Sequence, residues 1–302
     1  YFPDRALECV GKERATNHRL RREIVSSQLT NDLVDLMGST FVNRVGRETG
    51  HSAAEVARAW LVAGRITRHD ALLAELKARE GTISVAVAYR WALGLGRVLE
   101  RTTRWILANS DPEEATSDLI ARSLEGLEAL RSQFADIVSG EDKDVFLARV
   151  AEVRNQGVDQ AFAQELTALR FLDQLLEILH LARLTEADPV EAARIYYRVT
   201  EEVQIPWLVR CIERAGGGGR WEHRWALGLI DTLTGIRRDI TLVALELEEV
   251  PDVAIKTVFN GRRSDRFREL LEEVRGEERV SLAGLSVAVQ EVRHAADRIK
   301  RG

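Results

Sequence analysis

Apolar residues recur along much of this chain at steps of three and four positions, the spacing that puts side chains on one face of an α-helix. Residues 240–247 are the best candidate for a strand, but their apolar positions continue the helical stripe that precedes them. We therefore predict an all-α protein, an irregular multi-helix array or bundle with no significant β-sheet. The segments that carry the helical pattern are residues 16–37, 82–109, 145–156, 158–184, 206–214, 221–247 and 281–299.

Several helix starts are indicated by residues that cap or begin a helix. Ser52 and Glu55 have the spacing of a capping box, in which each side chain accepts a bond from the other residue's backbone N–H. Pro112 and Pro189 each follow an aspartate, and proline is favoured at the first helical position. The helix predicted to begin at Pro112 reaches residue 138.

The predicted helices can be divided into two groups. A polar run around Asp142 and Lys143 suggests a boundary, with an N-terminal helical subdomain over residues 1–140 and a C-terminal one over residues 141–302. A single domain is the alternative, because 302 residues can share one core. No fixed repeat is visible, which argues against a regular solenoid.

Composition excludes several classes of function. Hydrophobic residues make up 45% and charged residues 30% of the chain, as in a folded protein. The formal net charge is -5, so we expect no nucleic-acid partner. No apolar run reaches the ~18 residues of a candidate membrane span, so we expect no membrane association.

The cysteines indicate the cellular compartment of the protein, and the first residue indicates whether the chain is a piece of a longer protein. Cys9 and Cys211 lie far apart, without a Cys or His at ligand spacing, as expected for reduced thiols in a cytoplasmic protein. The chain begins at Tyr1 without an initiator methionine. We therefore expect it to be a piece of a longer protein.

The glycines do not predict a phosphate site. A phosphate loop follows a strand and precedes a helix, so that backbone amides converge on the anion. A helix is predicted before the run at residues 216–219, and residues 94–96 fall inside a helix. No Rossmann fingerprint or nucleophile elbow occurs. We expect no catalytic residue and no cofactor in this chain.

One enzyme alternative rests on two Glu-x-x-His motifs. Glu177 with His180, and Glu291 with His294, have the spacing found on the helices of di-iron carboxylate bundles. His294 falls beside the apolar stripe of its helix, which is poor placement for a ligand. We expect no metal, and an autonomous di-iron or ligand-binding helical protein remains the alternative.

Two apolar stripes run along the helix predicted over residues 16–37, which indicates burial on more than one side. Asn31 lies within the first stripe, and a buried Asn must be hydrogen-bonded, so we expect it to fix the packing register. The first stripe contains Leu20, Ile24, Ser27, Asn31 and Val34, and the second contains Val25, Leu29, Leu33 and Leu36.

The start of the same helix carries the densest polar cluster of the chain. Arg19 and Glu23 are neighbours on a helix, as are His18 and Arg22. The cluster is either a solvated face with one ion pair or a contact with another domain or subunit, where arginine forks suit carboxylates. The candidate interface residues are Asn17, His18, Arg19, Arg21, Arg22, Glu23 and Asn31.

The chain has six tryptophans at helical spacing. Large aromatic side chains contribute much of the energy of protein cores and interfaces. We expect most of them to lie in the core and one or two to anchor an interface.

The residues around this cluster resemble a known family. Residues 17–24 (Asn-His-Arg-Leu-Arg-Arg-Glu-Ile), 28–32 and 38–42 resemble the C-terminal portion of the large bacterial NAD-dependent glutamate dehydrogenases. Residues 1–3 are similar to the point where that portion begins. Residues 35–36 depart from the family, which has Asn-Arg at this point. The match continues over residues 48–50, 57–60 and 103–105, and extends more weakly to 171–182, 192–197, 207–208 and 221–247.

The resemblance implies a parent enzyme that oxidatively deaminates glutamate to 2-oxoglutarate and ammonia, with NAD as hydride acceptor. In this family the chemistry belongs to upstream glutamate-binding and Rossmann domains, so no catalytic or NAD-contacting residue is implied in this chain. The implied partners are the catalytic domains of the same polypeptide and further copies in a homo-oligomer. The implied role is interdomain or intersubunit packing, or regulation.

Overall fold

A computed structural model describes residues 7–9, 11–79, 81–247, 249–259, 262–276 and 280–300. The chain divides into two compact units, Tyr1–Leu124 and Glu125–Gly302. The described residues form helices joined by short turns and contain no strand, so the all-α prediction is confirmed. The subdomain boundary expected between residues 140 and 141 stays a prediction.

The first unit is built on a pair of packed helices, α4 (Ala53–Ile66) and α6 (Val85–Asn109), with α3 (Phe41–Thr49) and α5 (His69–Ala78) beside them. Val62 and Ala63 of α4 and Leu99 of α6 are fully buried between them. The predicted capping box starts α4, with the Ser52 N–H donating to Glu55 at 2.8 Å. The helices are α1 (Lys12–Thr16), α2 (Arg21–Met37), α3 (Phe41–Thr49), α4 (Ala53–Ile66), α5 (His69–Ala78) and α6 (Val85–Asn109), and α7 (Thr116–Ser132) crosses into the second unit.

The second unit has the helix Pro189–Glu202 (α12) near its centre, in contact with six other helices. An aromatic cluster forms beside it, where the ring of Phe134 lies 5.0 Å from Phe146, 5.1 Å from Phe171 and 6.2 Å from Tyr197. The helices are α8 (Phe134–Ile137), α9 (Gly140–Arg154), α10 (Gln160–Ala168), α11 (Leu172–Leu184), α12 (Pro189–Glu202), α13 (Ile205–Ala215), α14 (Arg220–Glu246), α15 (Pro251–Val258), α16 (Arg262–Gly276) and α17 (Leu282–Lys300).

Helix starts set by local hydrogen bonds were predicted with mixed success. Asp188 accepts bonds from the N–H groups of Val190 and Glu191 at 2.9 and 3.0 Å, which confirms the start of α12. The prediction that a helix begins at Pro112 is wrong. Asp111 there accepts the Glu113 N–H in a turn, and α7 begins only at Thr116.

Two predicted long helices are interrupted. The helix expected over residues 158–184 is divided by a 3₁₀ turn at Leu169–Phe171. Leu169 and Phe171 are both buried, so their packing outweighs the continuation of one straight helix. The helix expected over residues 16–37 begins only at Arg21, since a turn separates α1 from α2.

The tryptophans correct the prediction that most of them lie in the core. Trp60 is buried at 5% exposure. Trp91, Trp105 and Trp207 are half-buried. Trp221 and Trp225, both on α14, are 74% and 44% exposed. An apolar side chain at helical spacing therefore marks a face of the helix without showing that the face is covered.

Candidate functional site

The turn before α2 is held by His18. Its Nδ1 atom accepts a hydrogen bond from the backbone N–H of Leu20 at 3.2 Å. That N–H is therefore bound to a side chain and not to a carbonyl four residues earlier, which interrupts the helical ladder after α1. The carbonyl of His18 then accepts the N–H of Arg21 at 3.0 Å, and α2 begins.

The polar cluster at this turn faces solvent. The candidate residues of the cluster are all exposed, and the predicted ion pair between Arg19 and Glu23 is not formed. Exposed arginines can reach the carboxylates of a partner with their guanidinium forks, without first breaking buried contacts. The exposed residues are Asn17, His18, Arg19, Arg21, Arg22 and Glu23.

The two apolar stripes of α2 differ in what covers them. Leu33 of the second stripe is the buried residue of this helix, at 4% exposure. In the first stripe Leu20 is 46% and Val34 39% exposed, which corrects the prediction of burial on two sides. Asn31 is exposed as well, so its predicted burial does not occur within this chain. We call the first stripe with the polar cluster the α2 surface.

Helix α3, which follows α2 in the chain, is held against α6. Phe41 and Val45 of α3 are fully buried. Arg44 donates to Glu100 of α6 through both terminal guanidinium nitrogens, at 2.6 and 3.0 Å. These bonds lower the pKa of Glu100, against the opposing effect of its partial burial. Arg104 also binds Glu100, so α3 and α6 are held together by charge as well as by packing.

A second open surface lies at the start of α6. Val85, Tyr89 and Leu93 follow one another at intervals of four, on one face of the helix, and are 85%, 66% and 46% exposed. Arg90 and Arg97, also exposed, are on the same segment. We call this the α6 stripe. It combines apolar side chains with positive charge, as the α2 surface does.

The Glu-x-x-His motifs do not come together as ligands. The carboxylate of Glu177 is held by Arg238, through Nε and through a terminal nitrogen at 2.7 Å. His294 is exposed, with Nδ1 3.9 Å from Glu291 on its own helix. Among the residues whose placement is described, no group of three or more His, Cys, Asp or Glu side chains is arranged to hold a metal ion. The geometry does not favour the di-iron alternative.

The four-glycine run connects α13 to α14 and makes a 3₁₀ turn over Gly216–Gly218. Gly216 is buried, and a Cβ atom there would meet the Cβ of Ala226 at 2.6 Å. A helix precedes the turn, as expected, so the run does not have the strand–loop–helix arrangement of a phosphate loop. Close packing against α14 accounts for the glycine at position 216.

Sequence reasoning missed the ion pairs that join distant segments. Arg44 and Glu100 are 56 residues apart, and Glu177 and Arg238 are 61 apart. One signal was present for Glu177, since it stands between Leu176 and Ile178 in a leucine-rich helix, where a carboxylate needs a partner. The identity of that partner, Arg238, could not be read from the sequence.

In the described part of the chain, no helix has both the length and the apolar character needed to cross a membrane.

Comparison with known proteins agrees with the resemblance. The family described as "Glutamate dehydrogenase, C-terminal" matches residues 1–294. Proteins named NAD-specific glutamate dehydrogenase are similar to this chain in Halomonas elongata (29% identical over 93% of the chain), Mycobacterium tuberculosis (25% over 100%) and Pseudomonas aeruginosa (26% over 100%). The chain spans only 18–19% of the length of these relatives. With the family match covering nearly all of its residues, this chain belongs to the glutamate dehydrogenase C-terminal family.

Proposed function

We propose that this chain is the non-catalytic C-terminal helical region of an NAD-dependent glutamate dehydrogenase, and that it docks through the α2 surface onto the catalytic domains of the same polypeptide. The parent reaction is glutamate, NAD and water to 2-oxoglutarate, ammonia and NADH. The observation that carries the proposal is the exposure of α2. Of the 17 residues of this helix, one, Leu33, is buried. We expect the parent to be cytoplasmic and homo-oligomeric.

The composition of the α2 surface supports a protein partner. Interfaces combine an apolar centre with arginine, which is enriched there relative to the rest of a protein surface. The exposed apolar residues are Leu20, which directly precedes α2, and Val34, which lies on the helix that also carries the exposed Arg21 and Arg22. The partner that fits is an apolar surface bearing carboxylates. Relatives about five times as long as this chain contain ample additional sequence to supply it.

The α6 stripe supports the same type of partner. Val85, Tyr89 and Leu93 present apolar side chains, while Arg90 and Arg97 add positive charge. A long helix with such a face is ordinarily covered in the assembled protein, because contiguous exposed apolar patches mark interaction sites. We infer that both surfaces meet the parts of the polypeptide that carry catalysis.

The first experiment changes the α2 surface alone. Arg21→Ala with Arg22→Ala is introduced into the 302-residue chain and into the full-length enzyme. Exposed ion pairs contribute about 0–1 kcal/mol, so the isolated chain should unfold at nearly the same temperature. Truncating a charge buried at an interface costs roughly 2–5 kcal/mol, so the full-length enzyme should lose oligomer or turnover.

Arg47→Ala with Arg65→Ala provides the matched control, because both residues are exposed arginines of the same unit. The control should leave the full-length enzyme unchanged. Equal effects of the two double variants, or no effect of either, would contradict the proposal. A large loss of stability in the isolated chain would instead show that the arginines act inside it.

A second experiment tests the proposed location of catalysis. NAD is titrated calorimetrically into the 302-residue chain and into the full-length enzyme. We expect saturable binding to the full-length enzyme alone. Saturable binding to the isolated chain would show that part of the cofactor site lies in it and would contradict the non-catalytic role.

A further inference from the structure

The N-terminal half of α14 leaves large apolar side chains in solvent. Trp221 is 74% exposed, and Leu227 is 48% exposed. Gly228 is exposed beside them, and a Cβ atom at this position would meet nothing within 4 Å. Exposed tryptophan is informative, because this residue is among the most enriched at the energetic centres of protein interfaces.

Two opposite charges lie on this face. Arg224 and Asp231 are both exposed and stand seven residues apart, two helical turns. The guanidinium of Arg224 lies 5.3 Å from the ring centre of Trp221, whereas Asp231 forms no ion pair among the described residues. A separation of seven residues is about 10.5 Å along a helix, which keeps the two charges from pairing with each other.

The order of these residues is self-complementary. Consider two antiparallel copies of α14 related by a two-fold axis that passes between positions 227 and 228. Such a pair puts Arg224 of each copy opposite Asp231 of the other, since both lie equally far from the axis. The same symmetry places Leu227 of the two copies side by side on one flank of the axis and the two Gly228 residues side by side on the other flank, where the missing side chains let the helices approach closely.

We propose that this face, which we call the α14 face (Trp221, Arg224, Leu227, Gly228 and Asp231), binds the same face of a second copy of this chain, with the two α14 helices antiparallel. The proposed contact contains two symmetry-related Arg224–Asp231 ion pairs at its centre. Leu227 of each copy packs beside Leu227 of the other, the two Gly228 residues let the helices approach closely, and Trp221 covers the edge.

Charge distinguishes this face from the α6 stripe. A two-fold pairing of α6 stripes would bring the positive charges of Arg90 and Arg97 together, which favours a different, acidic partner. The α14 face carries Arg224 and Asp231 in an order that a second copy satisfies, and the exposed Arg220 lies one turn before Arg224, outside the two central pairs. It belongs to the second unit, and it is chemically independent of the α2 surface, so the two proposals can fail separately.

The test is a charge exchange, followed by sedimentation velocity of the 302-residue chain over a range of concentrations. The wild-type chain should show a monomer–dimer equilibrium. Arg224→Asp or Asp231→Arg alone should raise the dimer Kd at least tenfold, because like charges then face each other. The two exchanges combined in one chain should restore the dimer, since each pair regains opposite charges.

Gly228→Leu provides an independent variant that prevents the close approach of the helices and should also raise the dimer Kd at least tenfold. Gly64→Leu is its control, because Gly64 is another helical glycine at which a Cβ atom would meet nothing within 4 Å, and it should leave the Kd unchanged. Thermal unfolding of each variant checks that the chain remains folded.

Three results would overturn the proposal. They are a wild-type chain that stays monomeric up to its solubility limit, a dimer that tolerates the single charge reversals, and a double exchange that fails to restore association. The α2 surface is unchanged in all these variants. The Arg21 and Arg22 experiment can therefore succeed or fail whatever the outcome here.

Discussion

Helices α2 and α12 have similar apolar spacing and opposite environments. Seven of the 14 residues of α12 are buried, whereas one of the 17 residues of α2, Leu33, is buried. Helix α12 is surrounded by six other helices, and α2 packs broadly against no described helix. The buried residues of α12 are Ala192, Ala193, Ile195, Tyr196, Tyr197, Val199 and Thr200. Periodicity identifies the apolar face of a helix, but the surrounding chain decides whether that face is covered.

The largest effect is expected at the aromatic core beside α12. Tyr197 is 1% exposed, and its ring lies 5.6 Å from Tyr196 and 6.2 Å from Phe134. Tyr197→Ala should cost about 3–5 kcal/mol, because it removes a buried aromatic ring and leaves a cavity. Denaturant unfolding measures the loss. A cost below ~1 kcal/mol would break the contrast between the two helices.

A smaller effect is expected at the ion pair between α11 and α14. Arg238→Ala leaves Glu177, which is 5% exposed, without its guanidinium. Breaking a fully buried pair costs about 3–5 kcal/mol, and here we expect about 2–4 kcal/mol because Arg238 is partly exposed. Arg122→Ala is the matched control. It removes a two-bond pair with Glu114 at an exposed position, which should cost about 0–1 kcal/mol.

The comparison can be sharpened with one substitution made in both helices. Val199 of α12 is fully buried and Val34 of α2 is 39% exposed. Val199→Ala should cost about 2 kcal/mol, from two lost methyl groups and the remaining space. Val34→Ala should change the free energy of unfolding by less than ~0.5 kcal/mol. Similar losses at the two sites would show that α2 is covered within this chain.

The smallest effect is expected for the pH dependence near α12. Burial raises the pKa of Asp142 above its ordinary value of 3.8, partly opposed by the charge of Arg237. Because the folded-state pKa is the higher one, this residue favours folding below pH 3.8, and its contribution falls as pH rises through the folded pKa. Asp142→Asn should therefore stabilise the chain at pH 7 and have little effect below pH 3.8.

Asp144→Asn is the control for this pH dependence, since Asp144 is exposed on the same helix. Urea unfolding at several pH values gives the stability difference for both variants. A stabilisation by Asp142→Asn that is the same at all pH values would show that charge is not its cause.

The correct predictions depend on short-range interactions, although one short-range prediction, the helix start at Pro112, was wrong. The Ser52–Glu55 capping box and the start of α12 at Asp188 depend on bonds within a few residues, and both were predicted. The turn at Leu169–Phe171 depends on packing in the core and was missed. The candidate site was predicted as a set of residues on one helix, but the exposure of Asn31 depends on which segments reach α2.

The central claim is that the α2 surface is uncovered in this chain because its partner lies elsewhere in the parent polypeptide. Amide hydrogen exchange over Arg21–Met37 tests it directly, by comparison of the 302-residue chain with the full-length enzyme. Few buried contacts imply a low cost of local opening, so α2 should exchange rapidly in the isolated chain and α12 slowly. In the full-length enzyme α2 should become at least tenfold better protected. Equal exchange of α2 in the two proteins would contradict the account.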